Sequence, residues 1–143
     1  MERARSRRGL ADLLSRVEAQ ARGRLAELLR TSDVGVAEWR VLQLLADGLG
    51  HPVSDVARAV MLPAATVTRL IDRMVSKNLV YRRADDEDRR RLLVFMTERG
   101  TRLYRTLEPL VARHEEELME AMGAESGIAI ATLHRLDGEF SAD

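Results

Sequence analysis

The sequence predicts a mainly α-helical protein built around a helix-turn-helix, with a small β-hairpin beside it and long helices at both ends. Three observations predict this. Leu, Ala, Arg and Glu dominate while aromatic residues make up only 3%, a composition that favours helix. Apolar residues recur at three- and four-residue intervals along most of the chain, the spacing that lines one helix face. Between the terminal stripes, two short helical patterns meet at a tight turn and run into two strand-like segments around an acidic turn.

The first stripe runs through Leu10, Leu13, Leu14, Val17, Ala21, Leu25, Leu28 and Leu29, long enough to need another helix to pack on. "TSDVG" ends it. "VAEWRVLQLLADG" follows, with Trp39, Leu42 and Leu45 on one face and Gly48 as a stop. Val53, Val56, Ala57 and Val60 predict a short helix, and Pro63 suits the first turn of the next. In that second helix Val67, Leu70, Ile71, Met74 and Val75 form the buried stripe, which turns Ala64, Ala65, Thr68, Arg69, Asp72, Arg73, Ser76 and Lys77 outward. Asn78 can adopt the left-handed backbone and close the helix.

"LVYRRA" and "RRLLVFMT" read as strands joined by "DDED", a hairpin directly after the helix pair and therefore a wing. Thr97 and Glu98 open a long helix with an apolar line through Leu103, Leu107, Leu110, Val111, His114, Leu118 and Met122. Pro109 lies inside it and removes an amide that would bond the Arg105 carbonyl. Gly123 ends it, and Ala129, Leu133, Leu136 and Phe140 stripe the last helix.

A chain of 143 residues is expected to form one domain, burying about 68 to 70% of its unfolded surface. It has no cysteine, which excludes disulfides, thiolate metal sites and cysteine nucleophiles. The formal net charge is zero, so any attraction to a polyanion must be local. Arginines cluster at "ERARSRR" and at 82–91, whereas "EPLVARHEEELMEAM" is acidic. Asp12, Arg16 and Glu18 break the apolar positions after the first cluster, against a signal peptide. No run approaches the ~18 apolar residues of a membrane span. A cytoplasmic protein with no cofactor is expected.

The segments "VAEWRVLQLL", "VSDVARAVMLPAATVTRLIDRMVSKNLVYRR" and "DDEDRRRLLVFMTERG", with the long helices around them, resemble the MarR family of multiple-antibiotic-resistance regulators over nearly the whole chain. The resemblance implies one MarR-type domain over 1–143, with a winged helix-turn-helix over about 36–97. Helices at about 8–30 and 98–141 would form a dimerisation region. It further implies a homodimeric regulator, a repressor in the first instance, that binds a pseudo-palindromic site in double-stranded DNA. Release by a small aromatic or amphiphilic effector would follow many relatives. The chain departs from the pattern at Met61 and Asn78, where relatives often carry Gly, so the turn at Met61 is expected to be less tight. Ala64 and Ala65 stand where relatives often carry polar residues.

DNA affinity comes mainly from neutralised phosphates and specificity from groups that reach base edges. On the second helix, Arg69 can bond guanine O6 and N7, and Thr68 can touch a thymine methyl or a phosphate. Thr66, Arg73 and Lys77 suit phosphates or intramolecular partners, while Ala64 and Ala65 offer close approach. In the wing, Asp88, Arg89 and Arg90 form the tip, flanked by Arg82, Arg83 and Arg91 as strand ends. The resemblance implies that Arg90 enters the minor groove, with Asp88 fixing its direction.

Other readings stand beside these. Arg69 and Arg73 also fit a solvated face, paired with Asp72 or Asp55, and the wing charges also fit a device that blunts a sheet edge. His114 on its apolar stripe fits a packed histidine better than a metal ligand, and the methionines fit core filler. Trp39 fits either the core or a ligand cavity. No phosphate loop, nucleophile elbow or metal dyad marks an enzyme. The alternative from another class is a helical dimeric adaptor that binds protein partners and no specific DNA.

Overall fold

The computed structural model describes residues 9–141, so the arginine cluster at 2–8 and the expected start of the first dimerisation helix at residue 8 lie outside it. The elements run α1 (Leu10–Arg30), α2 (Val36–Leu45), β1 (His51–Pro52), α3 (Val53–Val60), α4 (Ala64–Ser76), β2 (Val80–Ala84), β3 (Leu92–Met96), α5 (Glu98–Met122), a 3-10 turn (Gly123–Glu125) and α6 (Ser126–Phe140). This is the mainly helical winged architecture expected from the sequence. The chain divides into two compact units, Met1–Pro109 and Leu110–Asp143, a boundary that falls within the expected 98–141 helical region.

In the first unit the core is made where α2, α3 and α4 present their apolar stripes to one another. Leu42, Val56, Val67, Ile71, Met74 and Val94 are each fully buried, and each such side chain contributes roughly 1.5–3 kcal/mol relative to exposure. Trp39 stacks on Tyr104, ring centroids 5.2 Å apart. Its indole N–H finds no acceptor among the described residues. Val75 departs from its expected place and is 39% exposed. It lies about 80° around the helix from Val67, past the arc that Leu70, Ile71 and Met74 cover.

The turn between α3 and α4 is closed rather than loosened. Met61 takes the left-handed conformation at φ 55 and ψ 44, and the amides of Met61 and Leu62 donate to the Arg58 and Ala57 carbonyls at 3.3 and 3.2 Å. Met61 thus does the work of a glycine at a steric cost. Pro63 sits one residue before α4 and accepts the Val67 amide at 3.0 Å. Asn78, at φ 55, closes α4 as expected.

The sheet has three antiparallel strands in the order β1-β3-β2. Strands β2 and β3 pair from Val80↔Met96 to Ala84↔Leu92, and the unforeseen β1 pairs His51 with Val94 and Pro52 with Leu93. Because β3 begins at Leu92, Arg90 and Arg91 belong to the turn rather than to a strand. Thr97 caps α5: its hydroxyl accepts the Gly100 amide at 2.9 Å and donates to the Asn78 carbonyl at 2.7 Å. A side chain at Gly100 would place Cβ 2.2 Å from the Leu79 carbonyl oxygen, so only glycine admits this approach. The α5 helix continues through Pro109.

In the second unit Val111 and His114 are buried, whereas Leu110, Met119, Met122, Ile128, Leu133 and Phe140 are exposed. Helix α6 has no buried residue. In the first unit, α1 likewise exposes Leu10, Leu13, Leu14 and Val17.

Candidate nucleic-acid interface

Burial of Val67, Leu70, Ile71 and Met74 decides which way α4 points its other side chains. Ala64, Ala65, Thr66, Thr68, Arg69 and Arg73 are all exposed. The Thr68 hydroxyl donates to the Ala64 carbonyl at 3.0 Å, and Arg69 Nε donates to the Ala65 carbonyl at 3.4 Å. No acidic residue occupies the first turn of α4, so the partial positive charge of its N-terminus is uncancelled. With two alanines there, a phosphate can approach the free amides closely.

The carboxylates that might have occupied the α4 arginines are taken by others. Asp72 accepts from Arg82 Nη2 at 2.6 Å, and Asp55 pairs with Arg58. Among the described residues neither Arg69 nor Arg73 forms an ion pair. Both guanidiniums remain available to an external anion.

Lys77 is different. Its ammonium donates to the Asp33 carbonyl at 2.9 Å and to both Glu38 carboxylate oxygens at 3.2 and 3.3 Å. Of the two uses the sequence allowed it, phosphate contact and intramolecular partner, the structure fills the second. Its three protons are engaged, which removes it from the set of free cations on α4.

In the wing, backbone bonds shape the tip. The Asp85 amide donates to the Arg91 carbonyl at 2.8 Å and the Arg91 amide to the Asp88 carbonyl at 2.9 Å. Two carboxylates hold the turn from the side: Asp85 accepts the Glu87 amide at 3.0 Å and Asp88 the Arg90 amide at 3.1 Å. Asp88 therefore directs Arg90 through its backbone rather than by gripping its guanidinium. Arg89 and Arg90 are exposed.

Two wing arginines expected as plain strand ends have definite tasks. Arg82 shares a strand face with Val80 and pairs with Asp72, so the wing is tied to α4. Arg83 lies on the opposite face, 4.4 Å over the Phe95 ring, which also stacks on Tyr81. The period-two alternation of β2 was the signal for both assignments.

Comparison with known proteins agrees with this arrangement. The family model described as MarR family matches residues 32–91, which span α2 to the wing turn. A mutant MarR from Escherichia coli complexed with operator DNA superposes with a TM-score of 0.77 and 26% identity, covering 92% of each chain. The family model and the solved structures both support the MarR family. Another solved relative is BpsR of Bordetella bronchiseptica, from work on regulation of its DNA binding by 6-hydroxynicotinic acid. It is 25% identical, with a TM-score of 0.79 and coverage of 91% of this chain and 93% of that one. The transcriptional regulator FarR of Neisseria gonorrhoeae is 24% identical over 74% of this chain and 73% of its own length. The chain is a DNA-binding transcriptional regulator, with its helix-turn-helix inside the matched segment.

Proposed function

We propose that the protein represses transcription as a homodimer on a pseudo-palindromic operator in the cytoplasm, with no catalytic activity of its own. Each protomer would present α4 to a major groove and the wing tip to the adjacent minor groove. Arg69 and Thr68 would read bases, Arg73 and Thr66 would hold phosphates, Ala64 and Ala65 would permit close approach, and Asp88 would set Arg89 and Arg90 at the wing. The observation that carries this reading is that, among the described residues, Arg69 and Arg73 have no ion pair on a helix face whose neighbouring acids already have partners.

The dimer is supported by exposed apolar side chains in both units, among them Leu10 at 67%, Ile128 at 73% and Phe140 at 80%. Large apolar side chains left exposed along one helix, as Leu10, Leu13, Leu14 and Val17 are on α1, mark an interaction site. Sedimentation at micromolar concentration should give twice the monomer mass; a monomer would contradict the dimer.

Mobility shift on DNA from the gene's own upstream region, at two salt concentrations, tests the regulator. A specific complex that weakens steeply with salt is expected. Binding that is absent or indifferent to sequence would favour the adaptor that acts through protein partners.

A cavity of about 410 Å³ lies in the first unit between the end of α1, the start of α2 and α4. Its wall combines Ala26, Val34, Val36 and Leu70 with Arg30, Asp33, Glu38, Arg73 and Lys77. Arg30 is paired with Glu27 and Lys77 with Glu38, which leaves Arg73 as the cation of this wall without an ion pair among the described residues. A small aromatic or amphiphilic acid held by Arg73 is the effector proposed, in keeping with the 6-hydroxynicotinic acid named for BpsR. If a panel of phenolic acids and amphiphiles neither releases DNA nor shifts the melting temperature, the effector proposal fails.

A further inference from the structure

Helix α1 ends in a stiff turn. The amides of Ser32 and Val34 donate back to the Leu29 carbonyl at 3.1 and 3.4 Å, and that of Asp33 to Arg30 at 3.1 Å. Asp33 is left-handed at φ 54, while Leu29 and Val34 are buried on either side of it. Glu38, one turn into α2, is only 6% exposed and accepts the Gly35 amide at 3.2 Å. Lys77, at the C-terminal end of α4, bridges the two by bonding the Asp33 carbonyl and the Glu38 carboxylate.

We propose that Lys77 is a positioning residue for DNA binding: together with Glu38 it latches the recognition helix to the turn that ends α1, and it touches no DNA. A buried carboxylate left without its cation is costly, so Lys77 cannot leave Glu38 for a phosphate without a penalty. The Asp33 carbonyl sits in a hydrogen-bonded turn, so the bond to it fixes α4 against the frame of α1 rather than against a loose loop. Because α1 would belong to the dimerisation region, the latch sets the angle at which each protomer offers α4 to its half-site. This inference rests on the DNA-binding reading above.

The two roles for Lys77 predict opposite signs for one conservative change. Glu38→Gln keeps an oxygen for the Gly35 amide but withdraws the charge that holds Lys77. If Lys77 were a phosphate contact, freeing it would strengthen binding. As a latch, it should weaken binding.

The experiment uses the full-length protein and an operator duplex selected from random DNA by the wild type. Affinities of wild type, Glu38→Gln, Lys77→Met and the double variant are measured over a range of salt. Each single variant should lose roughly tenfold in affinity, within the range for groups coupled in one hydrogen-bonded network, and the double variant should be no worse than either. The salt slope should stay that of the wild type. Unchanged or tighter binding by Glu38→Gln, or a slope reduced by about one unit in Lys77→Met, overturns the proposal. Should Lys77→Met fail to fold, Glu38→Gln alone decides by the sign of its effect. If the wild type selects no operator, the DNA-binding reading fails first, an outcome distinct from a wild type that binds and a Glu38→Gln that binds equally well.

Discussion

The Arg82 guanidinium donates to the Asp72 carboxylate across 2.6 Å, joining strand β2 of the wing to the outer face of α4. The pair is partly open, with side chains 27% and 59% exposed, so it contributes less than about 1 kcal/mol to stability. Its larger consequence is geometric. Arg82→Met should leave urea unfolding within that margin of wild type while weakening operator binding at an unchanged salt slope. Normal affinity in the variant would show that the wing finds its place without this tie.

At the wing tip, Arg90 and Asp88 should separate by salt dependence. Arg90→Ala should lower affinity and reduce the salt slope by about one unit, as for a lost phosphate-region contact. Asp88→Ala removes the acceptor of the Arg90 amide and should lower affinity with the slope retained. Titrations at several salt concentrations distinguish the two; identical slopes for all three proteins would place Arg90 outside the interface.

Met61 holds a left-handed backbone with its side chain 74% exposed, so it carries strain and adds no core packing. Glycine removes about 1–2 kcal/mol of steric cost but gives back about 0.5–1 kcal/mol through a freer unfolded chain. Met61→Gly should therefore stabilise the protein by roughly 0.5–1 kcal/mol in denaturant titration, with operator binding kept. A destabilised variant would mean that the Met61 side chain contributes contacts beyond those of the turn.

Burial acts to raise the Asp47 carboxyl's pKa, but the Leu49 amide at 2.9 Å and the His51 ring at 2.7 Å outweigh it and hold the group below its ordinary value. A carboxyl depressed in the folded state adds stability above its unfolded pKa of about 3.9 and loses it as pH falls through the folded value. Wild type and Asp47→Asn should thus differ most near neutrality and converge as pH falls through the depressed folded value into acid. Thermal melts across this range check it; a gap that widens towards acid would reverse the assignment.

Periodicity carried most of the fold into the sequence. The α4 stripe, the αL stop at Asn78 and the Thr97 cap were all readable because each is a local rule acting on adjacent residues. Strand β1 was not, because two residues ending in a proline have no period and exist as a strand only through Val94 and Leu93. The site divided in the same way. Exposure of Arg69 and Arg73 followed from the helical stripe, but the Lys77 contacts to Asp33 and Glu38 span 44 and 39 residues, beyond any local pattern. Contact between Asp88 and Arg90 was expected from the sequence, though not that it would run through the Arg90 backbone amide.

The most direct test is a hydroxyl-radical footprint of the protein on its selected operator. The account predicts two related protected patches centred about one helical turn apart, roughly 34–36 Å, with Arg69→Ala losing base discrimination in both. Uniform protection without a preferred sequence, or a single patch bound by a monomer, would contradict it.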